Sequence, residues 1–503
     1  MAWTLGVSLD PDSSTPLALQ LTRHLSEAVR SGRLRRGALL PGTRSLALAL
    51  GVSRNTVSAA YDELRAEGFL EADGPAGTRV SSQIPDPEPR RPTRPADPLR
   101  LGFDLSPFAV QALDAPGPSG ADRRPGSARR LFRWDFGLPD PRLAPRIALA
   151  RAYARVMRRR PEVLQYARYL EAPGAPLIKA IGQMLASTRS LDATPGRIAL
   201  TRGSQMGLYL SIQSLIRPGD RVAVEHPGFV RCWETLRAAG AELVPIPVDA
   251  EGLSLSHLER RLSRGPLRAV FLTPHHQFPT TATLSLGRRM ELLKLAERHR
   301  LAILEDDYDH EYHYDARPVL PLASSDTAGV VIYLGSLSKI FAPGLRTGFV
   351  VGPPAFIAAV EARRALVDVQ EDLALQLAVA ELFEEGEIQR HQRRTRRMYR
   401  QRRDLMVSLL HQRLGGALDF VVPSGGLALW AAVDPSIDVE RWEEASRRRG
   451  VGFRTGRIFF LDGAPRPYVR LGFARLDAAE AEQAVKTAAR ALGDRGVRSG
   501  RAL

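Results

Sequence analysis

A lysine flanked by hydroxyl groups and followed by an arginine is the strongest chemical signal in this sequence. Ser336 and Ser338 precede Lys339, and Arg346 follows after a Pro-Gly-Leu turn. A lysine in a buried, electropositive pocket loses part of its charge, and the neutral amine can add to an aldehyde. Hydroxyl groups and a guanidinium are suited to binding phosphate. The pattern therefore predicts a site for a phosphorylated aldehyde.

Three other segments supply groups that a pyridine aldehyde phosphate needs. Asp306 follows an apolar segment and could pair with a pyridinium nitrogen, and Tyr308 could hydrogen-bond a ring hydroxyl. Ser204 and Gln205 precede a helical pattern, where backbone N–H groups and the helix dipole can hold phosphate. Phe229 is placed to stack on a ring.

These residues need a scaffold, and the pattern after residue 131 is typical of an α/β fold. Short apolar segments bounded by polar residues read as buried parallel strands, and helical patterns such as 288–299 lie between them. Ligands of such sheets bind at the carboxyl ends of the strands, where Asp306 and Ser336 are expected. The predicted strands include 221–224, 269–272, 301–304 and 330–334.

The first 84 residues predict three helices and a short hairpin, which is a winged helix-turn-helix. Apolar residues recur every four positions from Leu17 to Val29, Thr43 is expected to cap a helix ending near Leu50, and Ser53 is expected to cap the next. The start of that third helix is the end that a recognition helix presents to DNA. The predicted DNA contacts are Arg44, Ser53, Arg54, Asn55, Thr56, Thr78 and Arg79.

Composition sets broad limits on the protein. The chain has 503 residues and a formal net charge of +16, which favours a polyanionic partner, although residues 1–84 hold nine arginines against eight acidic residues. A solvated helix face or a second track for DNA phosphates would explain the arginines of 390–403. The single cysteine, Cys232, excludes an intramolecular disulfide and fits a reducing compartment. No apolar run reaches about 18 residues, so we expect a cytoplasmic protein without a membrane span.

Two further expectations concern a connector and metals. Residues 85–130 are rich in Pro, Arg, Gly and Ser, which predicts a flexible linker. His275 and His276 are adjacent, but no third ligand follows at a metal-site spacing, so the sequence predicts no metal site.

Two resemblances are specific. Residues 131 to about 490 resemble the fold-type I pyridoxal-phosphate enzymes of the aspartate aminotransferase superfamily, on the motifs around Asp306 and Lys339 and on Val469-Arg470-Leu471-Gly472. Residues 15–81 resemble a GntR-type winged helix, on Gly51-Val52-Ser53-Arg54-Asn55-Thr56-Val57. This order is similar to that of the MocR-type transcriptional regulators. The implied domains are 1–84, the linker 85–130, and 131–503 with a small subdomain at about 400–495.

The resemblance also implies roles for individual residues. Lys339 would form the internal aldimine with pyridoxal 5'-phosphate, Asp306 would pair with the pyridine, Tyr308 would bind its hydroxyl and Phe229 would stack on it. Ser204, Gln205, Ser336 and Arg346 would hold the phosphate, and Tyr166 would reach the phosphate of the neighbouring subunit in a homodimer. Arg470 would bind the carboxylate of an amino-acid effector, and Arg231 is a second effector candidate.

One departure from the aminotransferase pattern leaves two functions open. Where these enzymes carry Asn-Pro-Thr-Gly, this chain has Phe278-Pro279-Thr280-Thr281. The leading hypothesis is a promoter-binding regulator, nucleoid-associated when bound to DNA, that senses pyridoxal phosphate or an amine. The alternative is an active aminotransferase with a vestigial DNA-binding domain.

Overall fold

The computed structural model describes residues 7–13, 15–73, 77–82, 132–134, 137–166, 174–315, 319–494 and 497. The chain divides into two compact units, Met1–Ala115 and Pro116–Leu503. The predicted linker at 85–130 lies outside the described residues. Among the described helices, none has both the length and the apolar character that crossing a bilayer would require.

The first unit is a three-helix bundle with a three-stranded antiparallel sheet, in the strand order β1-β3-β2. Its core is made of fully buried side chains from the first and third helices, such as Leu21, Leu25, Val57 and Leu64. The elements are α1 (Leu17–Arg30), β1 (Leu39–Leu40), α2 (Thr43–Leu50), α3 (Arg54–Ala66), β2 (Leu70–Ala72) and β3 (Thr78–Val80).

The start of α3 is stabilised as the sequence predicts, whereas the start of α2 is not. The hydroxyl of Ser53 accepts a hydrogen bond from the backbone N–H of Thr56 at 3.1 Å, so Ser53 caps α3. The predicted cap at Thr43 is wrong, because the extended backbone of Gly42 takes the capping position and Thr43 is already the first helical residue.

An eight-stranded sheet forms the centre of the second unit, in the order β5-β12-β11-β10-β9-β6-β7-β8. Strands β6, β7, β9, β10 and β11 are parallel, and β12 runs antiparallel between β5 and β11. The four predicted strands all fall within this sheet. After β4 (Phe132–Arg133), the strands are β5 (Ile198–Thr201), β6 (Arg221–His226), β7 (Glu242–Asp249), β8 (Gly252–Leu253), β9 (Ala269–Leu272), β10 (Ala302–Asp307), β11 (Val331–Ser336) and β12 (Gly348–Val351).

Helices cover both faces of this sheet, which explains why its strands are apolar at consecutive positions. Phe271 and Leu304 belong to one buried cluster with residues of the helices on one face, and Val270 and Ile303 belong to a different cluster on the other face. Successive strand residues point to opposite faces, so both sets must be apolar. The helices of this part are α4 (Arg146–Arg159), α5 (Ala175–Arg189), α6 (Ser204–Leu215), α7 (Val230–Ala238), α8 (Leu255–Leu262), α9 (Leu286–His299), α10 (Pro354–Val367) and α11 (Leu373–Glu384).

The C-terminal part has its own core around a smaller antiparallel sheet in the order β13-β14-β17-β16. Trp442 is fully buried there, and its indole N–H donates to the carbonyl of Ala488 at 2.9 Å. The predicted boundary near residue 400 falls inside the long helix α12. The elements are α12 (Glu387–Leu414), β13 (Leu418–Asp419), β14 (Ala428–Val433), α13 (Val439–Arg448), β15 (Val451–Gly452), β16 (Arg454–Thr455), β17 (Tyr468–Gly472) and α14 (Ala478–Ala491).

Short 3-10 helices connect several of these elements. They are Pro141–Leu143, Pro161–Leu164, Leu322–Ser325, Pro343–Leu345 and Gly456–Phe459.

Candidate cofactor pocket and nucleic-acid interface

Lys339 lies just after the carboxyl end of β11, in the segment that leads to the 3-10 helix Pro343–Leu345. Its Nζ donates a hydrogen bond to the carbonyl oxygen of Gly137 at 3.1 Å. Burial lowers the pKa of Lys339 from 10.5 to about 8; the carboxylates of Asp309 and Asp306 oppose this shift, and the charge of Arg470 adds to it. An appreciable fraction of the amine is therefore neutral near physiological pH, as addition to an aldehyde requires.

Asp306 lies next to the last residue of β10 and is only 6% exposed. Burial, together with the neighbouring carboxylates of Asp307 and Asp309, raises its pKa to about 7, and the charge of Lys339 opposes this shift. Its Oδ1 atom is buried and has no hydrogen-bond partner among the described residues. Buried polar atoms are nearly always paired, so this oxygen fits a donor supplied by a ligand, such as a pyridinium N–H.

Two phenylalanines and a buried arginine pack against one another beside Tyr308. The rings of Phe229 and Phe278 meet edge to face with their centroids 5.3 Å apart. The guanidinium of Arg470 lies 4.4 Å from the centroid of the Phe278 ring and donates a hydrogen bond to the carbonyl of Pro279. Arg470 is 1% exposed and lies on β17. The residue that replaces the aminotransferase asparagine thus packs directly against the predicted carboxylate-binding arginine.

Tyr308 is in the pocket, but its hydroxyl is already engaged. The hydroxyl donates to the carbonyl oxygen of His276 at 2.8 Å, and it also hydrogen-bonds with the guanidinium of Arg470. A hydroxyl group has only one proton to donate. The sequence predicts a hydrogen bond from Tyr308 to a ring hydroxyl without fixing its direction; to be the donor in it, Tyr308 must release the His276 carbonyl.

The first turn of α6 and the loop of Arg346 form a tightly packed end of the pocket. Gly203 precedes α6 with φ of 75°, and a Cβ atom there would lie 2.9 Å from the guanidinium carbon of Arg346. A Cβ on Gly348 would lie 2.7 Å from the backbone nitrogen of Ser204. Because both glycines lack a side chain, the helix N-terminus stays open and a cation lies beside it, which is a suitable site for phosphate.

Of the other predicted phosphate ligands, Ser336 and Gln205 hydrogen-bond within the protein, whereas Tyr166 is exposed. The Ser336 hydroxyl is buried and accepts the backbone N–H of Ser338 at 3.0 Å. The side-chain amide of Gln205 donates to the hydroxyl of Thr235 at 3.2 Å. Tyr166 is 56% exposed, and residues 167–173 after it lie outside the described part of the chain.

Arg231, the second effector candidate, is exposed on α7, and its guanidinium lies 3.9 Å from Glu234 of the same helix. This placement favours a solvated surface residue.

Sequence reasoning missed two groups next to Lys339. One is the carbonyl of Gly137, 202 residues earlier in the chain. The other is Asp309, whose Oδ1 pairs with His276 Nδ1 at 2.8 Å and whose charge raises the pKa of Lys339. A hint was present in the run Asp306-Asp307-Tyr308-Asp309, but acidic residues after a strand do not reveal which of them faces a lysine.

The residues predicted to contact DNA all lie in the first unit, and several of them are exposed near the start of α3. Arg44 is exposed on α2, and Ser53, Arg54 and Asn55 are exposed at the start of α3. The Nε of Arg54 donates to the hydroxyl of Thr43 at 3.4 Å, which holds the side chain close to α2. Thr56 is partly buried beside the Ser53 hydroxyl, 2.8 Å away.

The hairpin residues are less available than the sequence suggests. Thr78 is only 9% exposed, and its hydroxyl accepts a hydrogen bond from Arg65 at 2.8 Å. Arg79 is partly buried and forms an ion pair with Asp73. Residues 74–76, between β2 and β3 in the sequence, lie outside the described residues. Arg65, which is not among the predicted DNA contacts, lies next to Thr78.

Comparisons with known proteins agree with both units. Residues 149–487 match the model for aminotransferase class I and II, and residues 17–80 match that for bacterial regulatory proteins of the gntR family. The chain is 32% identical over 489 residues to the probable rhizopine catabolism regulatory protein MocR of Rhizobium meliloti, covering 93% of this chain and 92% of that protein. It is 33% identical over 490 residues to the HTH-type transcriptional regulator TauR of Rhodobacter capsulatus, covering 96% and 98%.

A similar solved structure is LysN, an α-aminoadipate aminotransferase from Thermus thermophilus complexed with N-(5'-phosphopyridoxyl)-L-leucine. It is 29% identical, has a TM-score of 0.67, and covers 74% of this chain and 96% of its own. The chain belongs to the MocR-type regulators of the GntR superfamily, with a winged helix-turn-helix joined to a fold-type I aminotransferase domain whose cofactor is pyridoxal phosphate.

Proposed function

We propose that this protein is a transcriptional regulator that binds promoter DNA through its first unit and senses pyridoxal phosphate, alone or with an amine or amino-acid effector, through its second. The observation that supports this most directly is the presence in one chain of a cofactor-type pocket around Lys339 and an exposed helix start at Arg54. The relatives MocR and TauR, which span nearly the whole chain, carry regulator names.

Pyridoxal phosphate supplies an aldehyde and an electron-withdrawing ring when it is bound. Different residues of this chain are proposed to bind its aldehyde, its ring and its phosphate. Lys339 offers an amine that burial keeps partly neutral, and Asp306 offers a free carboxylate oxygen to the ring nitrogen. Phe229 is the proposed stacking partner of the ring. The start of α6 and Arg346 provide N–H groups and a positive charge for the phosphate.

Arg470 is the residue best placed to select the effector. Its guanidinium is almost fully desolvated and lies close enough to Lys339 to influence the pKa of the amine. A carboxylate that exchanges for the Pro279 carbonyl would form a charge-assisted hydrogen bond, which is about twice as strong as a neutral one. The proposed effector is therefore a small amine that carries a carboxylate or a similar anion.

DNA recognition is assigned to the exposed residues at the start of α3 and to α2. Arg54 and Asn55 have side chains suited to base edges in the major groove, and Arg44 is placed for a phosphate contact. Ser53 and Thr56 stabilise the helix end that carries them. Because Thr78 is buried against Arg65, we propose that the hairpin contributes through the Arg65 and Arg79 region instead of the Thr78 hydroxyl.

We further propose that the regulator is a homodimer acting in the bacterial cytoplasm. Ile147, Leu164 and Tyr166 are large apolar or aromatic side chains exposed by 67%, 74% and 56%. A second copy that covers them would bring Tyr166 toward a neighbouring pocket and would place two recognition helices on one operator. Size-exclusion chromatography with light scattering tests this state, and a monomer at micromolar concentration would contradict it.

The regulatory function is tested by footprinting the promoter regions next to the gene that encodes this chain. A ligand shifts the protein between two conformations only if it binds them with unequal affinity. If pyridoxal phosphate or an amino acid regulates DNA binding in this way, adding it must change the extent of the footprint or the affinity for the promoter. Lys339→Ala should lose this response and keep DNA binding, whereas Arg54→Ala should lose specific DNA binding and keep cofactor uptake. No specific footprint under any ligand condition would refute the proposal.

Transamination is the second candidate function, because Lys339, Asp306 and Arg470 are all placed in one pocket and the Lys339 amine is partly neutral. Multiple turnovers of an amino acid with a keto acid would support it. Turnover that stops after about one equivalent per pocket would favour the regulator.

A further inference from the structure

A cluster of buried histidines lies next to the cofactor pocket and has no part in the proposed chemistry. His275 and His276 follow β9, Asp307 ends β10, and His310 and His313 lie in the segment after β10. All five side chains are buried, with exposed fractions of 2%, 1%, 3%, 3% and 8% in that order. The chain has only ten histidines, so four of them converge at one buried point.

Three of these residues, His275, Asp307 and His310, lie close enough together to bind one metal ion. Ligand atoms of His275, Asp307 and His310 all lie within 4.8 Å of one another. The Nδ1 atom of His310 is 3.1 Å from Asp307 Oδ2, and the ring centroids of His275 and His310 are 4.4 Å apart. Zinc binds imidazole nitrogen at roughly 2.0–2.1 Å and carboxylate oxygen at roughly 2.0–2.2 Å, so donors at these separations need only small shifts to share one ion.

Several polar atoms of the cluster lack well-aligned partners. His275 Nδ1, both ring nitrogens of His310, His313 Nδ1 and Asp307 Oδ1 are buried and make no well-aligned hydrogen bond within the described part of the chain. Leaving buried polar atoms unpaired destabilises a folded protein, and native proteins rarely gather several of them at one point. A bound cation would satisfy lone pairs of several of these atoms together.

The surroundings orient the proposed ligands as an outer layer does in known metal sites. The hydroxyl of Tyr333 donates to Asp307 Oδ2 at 2.7 Å, and the Nε of Arg189 lies 3.6 Å from the same oxygen. Arg189 is itself paired with Glu311, which offsets its charge. Asp307 is therefore held in place while its Oδ1 stays free.

We propose that His275, Asp307 and His310 bind a divalent transition-metal ion of the zinc type. Two imidazoles and one carboxylate are a donor set suited to zinc. Calcium and magnesium, in contrast, are bound mainly by oxygen ligands. His313 is not one of the three proposed ligands, because its Nε2 is already in contact with His275 Nε2.

The position of the ion couples it to the cofactor pocket. Asp307 directly follows Asp306, the pyridine partner, and His275 directly precedes His276, whose carbonyl accepts the Tyr308 hydroxyl. Coordination would hold the ends of β9 and β10 together at the edge where the pocket is built. Metal binding itself does not depend on whether the chain binds DNA.

The direct test measures the metal content of the full-length cofactor-loaded protein. The protein is purified without a histidine tag, incubated with excess Zn²⁺ and dialysed, and zinc is measured by mass spectrometry. We expect about one zinc per chain in the parent, near zero in His275→Asn and His310→Asn, and the parental value in His299→Asn, a matched change at an exposed histidine. Equal zinc in the parent and both cluster variants would overturn the proposal, as would a parent that retains no zinc.

A second measurement avoids any dependence on whether the variants fold. In the parent, Zn²⁺ that binds only the folded state raises the melting temperature, and a chelator must reverse the rise. Cobalt substitution adds a spectroscopic signature, because Co²⁺ bound by imidazoles in a four-coordinate site absorbs more strongly in the visible range than aqueous Co²⁺. An unchanged melting temperature together with the spectrum of the aqueous ion would refute the site.

Discussion

The lowered pKa of Lys339 predicts how fast the protein captures its cofactor at each pH. Burial brings this pKa from 10.5 to about 8. At pH 8 about half of the amine is then neutral, whereas a lysine at the ordinary value would be roughly 0.3% neutral, so the reactive fraction increases roughly 150-fold. Because the neutral form reacts, the rate constant should increase about tenfold per pH unit well below pH 8 and then level off above it.

The assay is stopped-flow absorbance after pyridoxal phosphate is mixed with cofactor-free protein, in buffers that contain no primary amine. Nα-acetyllysine measured in the same buffers reports the pH dependence of an unperturbed amine and of the cofactor itself. The ratio of the two rate constants isolates the effect of the pocket. A ratio that shows no bend between pH 7 and pH 9 would refute the assignment of a desolvated Lys339.

Two substitutions test how neighbouring charges contribute to the pKa of Lys339. Arg470→Met removes a positive charge that lowers the pKa of Lys339, so the bend should move to higher pH. Asp309→Asn removes a negative charge that raises it, so the bend should move to lower pH. Arg237→Met, at an exposed arginine on α7, is the control and should leave the bend unchanged. If both pocket variants moved the bend in the same direction, the electrostatic reasoning would be wrong.

Three further outcomes are expected. Lys339→Ala should abolish the adduct fixed by borohydride and keep the parental circular-dichroism spectrum; labelling equal to the parent would show that another amine is used. Arg54→Ala should reduce the preference for operator over random DNA by roughly 5- to 150-fold, on the basis of about 1–3 kcal/mol for a base contact, while Arg23→Ala on α1 should not. Ser53→Ala removes the cap of α3 and should destabilise the first unit by about 1 kcal/mol in denaturant titrations, and an unchanged midpoint would show that the cap contributes nothing.

The strands of the large sheet were predictable because helices bury both of their faces. Segments such as 269–272 are apolar at every position, and that pattern has few alternatives in a chain of this composition. The capping of α3 was also predictable, since it depends on a residue three positions away. The capping of α2 was not, because neighbouring Gly42 and Thr43 compete for one position and the backbone decides between them.

The chemistry of Lys339 was predictable in kind from its neighbours along the chain, but its environment depends on contacts between distant segments. The carbonyl of Gly137 and the guanidinium of Arg470 come from segments about 200 and 130 residues away. Desolvation, which dominates the shifted pKa values of Lys339 and Asp306, depends on everything that packs around a group.

The reactive residue types, the apolar segments and the order of the two units could be read along the chain, because they follow from residue type and local periodicity. Which of those residues meet depends on how the chain folds. It buries Thr78 against Arg65, leaves Arg231 on the surface, and gathers His275, Asp307 and His310 at one point from two different strand ends. The physical reason is that neighbouring parallel strands end at the same edge of a sheet, which brings together residues that spacing along the chain keeps far apart.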